Sequence, residues 1–169
     1  MQKTNNTRYI KLNDGNEMPA IGLGTYKITN EKKAIVQAIV EAGYRLIDTA
    51  SKYENEEMIG EAIQEAMEMT GIKREEMFVT TKIWFEEYEN PENALRESLK
   101  RLKLDYVNLY LIHWPIGFFA LPKKPLHLLW KELELLVDKG LTKSIGVSNV
   151  NMQLMLDLLC YARIKPAVN

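Results

Sequence analysis

Apolar positions along the chain fall into short runs that alternate with segments of helical periodicity. Residues 9–12 and 17–20 flank Asn13-Asp14-Gly15-Asn16, and Asp-Gly between two strand-like runs predicts a tight hairpin. Ile21 to Tyr26 reads as a first core strand. Asn30 to Ala42 reads as a helix, with Ile35, Val36, Ile39 and Ala42 on one face and Gly43 as its stop. Tyr44 to Ala50 is a second strand. A second helix starts near Asn55 and aligns Met58, Ile59, Ala62, Ile63 and Ala66.

Met77 to Trp84 is a third strand. Asn90-Pro91 opens a third helix, Asn as N-cap and Pro at the first helical position, with Leu95, Leu99 and Leu102 following at helical spacing. Tyr106 to His113 is nearly continuously apolar, as a strand covered on both faces should be. Pro125 to Lys139 is a fourth helix closed by Gly140. Lys143 to Val147 is a fifth strand and Asn151 to Ala162 a fifth helix, and Pro166 to Asn169 opens a sixth strand.

Repeated βα units of about 30 residues predict a parallel α/β sheet. No linker or low-complexity stretch divides the chain, so one domain over residues 1–169 is expected. A doubly wound dinucleotide-binding sheet and a (β/α)8 TIM barrel both fit. The first needs G-x-G-x-x-G after its first strand. Here that strand carries only Gly22-Leu23-Gly24, followed by Thr25-Tyr26-Lys27. Polar residues gather instead just past the C-terminal ends of the strands, where barrels place their sites.

The 169 residues carry a formal charge of −1, which gives no electrostatic reason to expect nucleic acid or an anionic membrane as partner. Basic pairs such as Lys100-Arg101 and Lys123-Lys124 read as solvated faces. Cys160 is the only cysteine, which excludes an internal disulfide scaffold; among Leu158, Leu159 and Tyr161 it is expected to be buried. Met1 to Arg8 lacks the apolar segment of a secretory signal, and no apolar run approaches the ~20 residues of a membrane span. A cytosolic location is the default expectation.

Asp48 ends the second strand and Tyr53 follows in its loop. Lys82 ends the third strand and His113 the fourth. Each has a bland reading alone: a loop cap, a packing ring, a solvated strand end, a backbone-bonded imidazole. Their coincidence at consecutive strand ends favours a shared pocket. Carbonyl reduction builds negative charge on oxygen, so that oxygen needs a proton donor and hydrogen-bond donors. A tyrosine phenol, with a reference pKa about 10, is a poor acid alone. A nearby lysine ammonium favours the phenolate, a carboxylate keeps that lysine charged, and a neutral imidazole supplies a second hydrogen bond. His127, the only other histidine, falls in the fourth helix and reads as a helix-face residue.

Gly43-Tyr44-Arg45-Leu46-Ile47-Asp48-Thr49-Ala50, with Tyr53, Glu56 and Ile59-Gly60, resembles the first signature of the aldo-keto reductases. Thr81-Lys82-Ile83-Trp84 is similar to the family's catalytic-lysine segment, and Leu111-Ile112-His113-Trp114-Pro115 to its catalytic-histidine segment. Leu136 to Gly140 and Ile145 to Asn149 resemble its second signature. The resemblance runs from about Tyr9 to Asn169.

That resemblance implies an oxidoreductase that reduces aldehydes or ketones with NADPH, NADH being the alternative donor. Tyr53 would be the general acid, tuned by Asp48 and Lys82, with His113 orienting the carbonyl. Ser148 and Asn149, and also Asp48, would hold the nicotinamide end. Gly24, Thr25 and Tyr26 would line the cofactor end of the pocket. Trp84 and Trp114 would wall the substrate, and the Asp14-Gly15 hairpin would plug the barrel's N-terminal end. No metal is implied, and members are usually monomeric or weakly associated.

The chain departs from the family at Val150, where an aromatic is preferred, and in the short stretch Ile116 to Pro125. Members also continue well past Asn169, through the strands that bring the nicotinamide-stacking aromatic and the 2′-phosphate loop. About five βα units after a hairpin therefore make an incomplete barrel. An alternative to the enzyme is a catalytically inactive, truncated barrel that serves as an interaction module. Open strand edges and an open apolar inner face would require another copy, a partner chain or the missing half.

Overall fold

The computed structural model describes residues 7–115 and 124–169. Strands β1 (Tyr9–Lys11) and β2 (Glu17–Pro19) form an antiparallel hairpin. Asp14 Oδ1 accepts from the Asn16 amide, and Gly15 sits at φ 91°, the left-handed turn conformation that its lack of a Cβ permits.

Five further strands make one sheet: β3 (Gly22–Gly24), β4 (Leu46–Asp48), β5 (Phe78–Ile83), β6 (Val107–Ile112) and β7 (Thr142–Val147). All neighbours are parallel, and the spatial order follows the chain from β3 to β7 without reversal. A doubly wound sheet reverses its order at a switch point, whereas a barrel wall does not. The sequential order therefore identifies the barrel architecture.

The helices are α1 (Lys32–Val40), α2 (Glu56–Thr70), α3 (Pro91–Leu102), α4 (Leu126–Asp138) and α5 (Met152–Tyr161). They cover one face of the sheet. Ile47, Val79, Ile83, Tyr110, Ile112, Ile145 and Val147 point into a core shared with Ile39, Ile59, Ile63, Leu95 and Leu133. Local sequence fixes the helix ends: Asn90 Oδ1 accepts from the Asn93 amide and Asn151 Oδ1 from the Leu154 amide. Gly60 lets α2 approach α3 closely, since a Cβ there would stand 2.6 Å from the backbone of Leu102.

Several expectations are corrected. Helix α1 stops at Val40, so Ala42 lies beyond it, exposed. Cys160 is exposed, its Sγ against the Leu156 carbonyl. Helix α5 is apolar on most sides, so periodicity does not single out the core-facing side, where Leu158 is fully buried and Leu154, Met155 and Tyr161 pack partly buried beside it. Arg101 is not merely solvated: it pairs with the buried Glu56 at 2.7 Å.

The open apolar inner face is also corrected. Leu46, Phe78, Leu109 and Leu111 form a second buried cluster, covered by Met18 of the hairpin and by Val168. Asn13 donates to the Pro166 carbonyl and Asn16 to Lys143 O and Ser144 Oγ, which sets the hairpin across the N-terminal end of the sheet. The segment after Pro166 is not a full strand, but it lies along β7: the Ala167 amide donates to Ile145 O and the Val147 amide to Val168 O. Exposed apolar side chains include Met152, Leu156 and Leu159, at helical spacing on α5. Among the described residues no helix is long and apolar enough to cross a membrane.

Candidate active site

The residue that follows four of the five strands is tied by its amide to a neighbouring strand, which extends the sheet's bonding into the rim. The Thr25 amide donates to Asp48 O, Thr49 to Thr80 O, His113 to Ile83 O and Ser148 to Ile112 O. Side chains alternate along a strand, so the positions that carry Leu46, Phe78 and Leu109 inward also carry Asp48, Lys82 and His113 inward. Tyr53 comes from a single 3-10 turn, Ser51–Tyr53, after β4.

Lys82 is the centre of the site and only 5% exposed. Its Nζ donates to Asp48 Oδ1 at 2.5 Å, to the Thr49 carbonyl at 2.8 Å and to Tyr53 Oη at 3.3 Å. An ammonium has three protons, and each has an acceptor here. A buried charge needs such pairing. Tyr53 Oη accepts from Lys82, so its own proton is left to point elsewhere.

His113 completes the cluster. Its ring meets Tyr53 edge-on at 5.5 Å between centroids and Trp84 at 4.9 Å. Burial, with a smaller contribution from the Lys82 charge, pulls its pKa down to about 4. The imidazole is therefore neutral at physiological pH. Its Nδ1 and the indole Nε1 of Trp84 are buried without a hydrogen-bond partner.

The other residues singled out in the sequence stand around this centre in different roles. Tyr26 is 65% exposed and its ring lies 5.0 Å from that of Tyr53. Thr25 is turned inward: buried, with its hydroxyl on Asp48 O. Gly24 leaves open space where a Cβ would stand, with nothing within 4 Å. Asn149 takes a left-handed φ of 60°, and its Nδ2 donates to His113 O and Ser148 Oγ. Trp114 presents its carbonyl to the Tyr88 hydroxyl. Val150 is buried in the helix-side core, and its carbonyl accepts from Asn169 Nδ2. His127 packs edge-on against Tyr161 on the helical layer, away from the site. Of the stretch Ile116 to Pro125, expected to be short, residues 116–123 lie outside the described residues.

Two supporting residues were not anticipated. Asn55, expected only near a helix start, is buried; its Nδ2 donates to the carbonyls of Thr25 and Ile28, and its Oδ1 accepts from Thr49 Oγ1. It thereby ties the loop after β3 to the end of β4. Glu87 accepts from Ser51 Oγ and from the Trp84 amide. The only signal for Asn55 was a polar amide at the foot of an apolar helix. Nothing in the pattern marked Glu87 apart from its acidic neighbours.

The arrangement fits a nicotinamide ring. Among the described residues, Ser148 and Asn149 offer a hydroxyl and an amide oxygen beside His113, and a Cβ at Gly24, at the end of β3, would meet nothing within 4 Å.

Residues 20–169 match the family model described as the Aldo/keto reductase family. The chain is 42% identical over 165 residues to methylglyoxal reductase DkgA of Escherichia coli K12, covering 97% of this chain and 57% of that protein. It is 43% identical over 182 residues to the NAD(P)H-dependent D-xylose reductase I,II of Candida tropicalis, covering 94% and 56%. Among solved structures, an aldo-keto reductase of Bombyx mori in complex with NADP superposes with a TM-score of 0.89 at 39% identity, over 96% of this chain and 57% of that one. The chain thus spans a little over half the length of these relatives. With a sequential parallel barrel wall, a lysine-centred rim and a family match over most of its length, the chain belongs to the aldo-keto reductase family.

Proposed function

We propose that the chain carries the carbonyl-reducing site of an NAD(P)H-dependent oxidoreductase, in one domain over residues 1–169, acting in the cytosol on small aldehydes or ketones. The observation that carries this reading is the occupancy of Lys82. With all three ammonium protons committed, to Asp48, Thr49 O and Tyr53, the phenol is left as a donor toward the space beside His113.

A bound nicotinamide would supply the hydride that reaches the carbonyl carbon. Ser148 and Asn149 would hold its carboxamide, with Asp48 nearby, while Gly24, Thr25 and Tyr26 would shape that end of the pocket. Tyr53 gives its proton to the carbonyl oxygen, and the phenolate left behind is stabilised by Lys82. Asp48 keeps Lys82 charged and in place. Neutral His113 donates the second hydrogen bond to the carbonyl, while Trp84 and Trp114 exclude water. NADPH is the expected donor and NADH the alternative.

The test is a fluorescence titration of the full chain with NADPH, followed by addition of methylglyoxal or xylose as probe carbonyls. Saturable binding and carbonyl-dependent oxidation are expected. Absence of both contradicts the reading.

A second reading, a barrel segment that serves as an interaction module, is favoured by one observation: the exposed Met152, Leu156 and Leu159 of α5 form an apolar face without cover. It predicts a stable oligomer, seen by light scattering, that does not bind NADPH. A monomer contradicts it.

A further inference from the structure

Three consecutive residues of the turn after β4 each reach a different group at or just past the end of β5. Ser51 Oγ lies 2.6 Å from Glu87 Oε2 and 3.1 Å from the Lys82 carbonyl. Lys52 Nζ stands 5.7 Å from the centre of the Trp84 ring. Tyr53 Oη accepts from Lys82. The hydroxyl has one proton, and the shorter contact to a carboxylate takes it. The same Glu87 oxygen also accepts from the Trp84 amide at 2.8 Å, while the Glu87 amide donates back to Trp84 O at 2.9 Å. One carboxylate oxygen therefore joins the tyrosine-bearing turn to the backbone of the tryptophan wall. The adjoining Tyr88, fully buried, extends the tie to Trp114 through its hydroxyl.

We infer that Glu87 is a positioning residue that, through Ser51, fixes the Tyr53 turn against Lys82 and sets the Trp84 wall at the same time. This rests on the reading of the site as a carbonyl reductase. Ser51 and Glu87 bond to each other, to the Lys82 carbonyl and to the Trp84 amide, and so act on the site through those residues. A bridge made by one oxygen moves both together. Loosening it shifts the phenol relative to Lys82 and tilts the indole relative to His113. Misplacement of reacting groups by an ångström is enough to cost about a hundredfold in rate.

The experiment compares Glu87→Ala, Glu87→Gln and Ser51→Ala in the full chain. Glutamine keeps an oxygen that can accept both bonds, so Glu87→Gln should stay within about threefold of the parent kcat. Glu87→Ala should lose about tenfold or more in kcat while NADPH affinity holds within about twofold. Ser51→Ala should fall between, and adding it to Glu87→Ala should cost little more, because both sever one bridge.

A second readout does not depend on turnover. The chain has two histidines, so the ring-proton signals of His113 are readily assigned by NMR. They report the Tyr53 and Trp84 rings that flank it. They should move in Glu87→Ala and stay put in Glu87→Gln. A merely structural role would lower stability and leave them unmoved. Folded Glu87→Ala with unchanged kcat and unchanged signals overturns the inference. If Glu87→Ala does not fold, Ser51→Ala decides: moved His113 signals support the bridge and unmoved signals overturn it. If the parent chain shows no turnover, the reductase reading fails, while the His113 signals still decide the bridge.

Discussion

At the N-terminal end of the sheet the inward side chains are Leu46, Phe78 and Leu109, closed over by Met18 and Val168. Further along, on the same face, those three strands carry Asp48, Lys82 and His113 inward. The two ends share strands, register and facing, and differ only in what the alternate positions hold. Apolar burial at the first end contributes to folding roughly in proportion to area. The polar end gives up that contribution: Lys82 is buried at a desolvation cost that its three acceptors offset. An apolar cluster and a lysine-centred polar rim thus share one set of strands. Substitutions at the apolar end should change folding and leave the rim in place, whereas substitutions at the rim should act on the groups around Lys82 and, where they remove a buried bond or ring, on folding as well.

The largest stability effect should come from the apolar end. Phe78→Ala should destabilise the chain by about 3–5 kcal/mol in urea unfolding, the range for a buried phenylalanine. A loss below about 1 kcal/mol would mean this cluster is not packed as a core. Next in size is Asn55→Ala, which strips the carbonyls of Thr25 and Ile28 of their donor. It should cost about 2 kcal/mol, and the Tyr26 contact with Tyr53 should loosen with it.

His113 should give a smaller effect with a definite sign. Its folded-state pKa lies below the ordinary value of 6.5, at about 4, so its contribution is complete above 6.5. As pH falls from 6.5 toward 4 the unfolded chain takes up a proton that the folded chain does not, and stability drops. His113→Asn should flatten that slope, as read from unfolding midpoints across the window. An unchanged slope would show that the imidazole is not held neutral by burial. Smallest of all is Asn16→Ala at the hairpin, which should cost about 1 kcal/mol or less, since the bonds to Lys143 O and Ser144 Oγ lie near solvent.

Most of the architecture was legible in the amino-acid sequence, because the period of the apolar residues changes sharply between strand and helix. Long strands such as β5 and β6 fall within a residue of their predicted ends. The short strands β3 and β4 are shorter than their patterns predict: residues 44–50 read as one extended segment, while sheet pairing covers only Leu46–Asp48. Helix α5 shows the limit of periodicity. Where most sides are apolar, pattern cannot choose the buried one, and Cys160, expected inside, faces out.

At the rim, Asp48, Lys82 and His113 were legible as polar residues at the ends of apolar runs. Their support was not, because it depends on contacts across loops. Asn55 reaches back to Thr25 and Ile28, and Glu87 reaches across to Ser51. Thr25 illustrates the same limit: a residue beside the expected cofactor end turns its hydroxyl inward to Asp48 O.

The central claim is that the Tyr53 hydroxyl, freed by the commitment of Lys82, is the proton donor. Carbonyl-dependent oxidation of NADPH by the full chain and by its Tyr53→Phe variant tests it most directly. Turnover should fall by about 10²–10⁴-fold in the variant while NADPH binding persists. A variant that turns over as fast as the parent would contradict the claim.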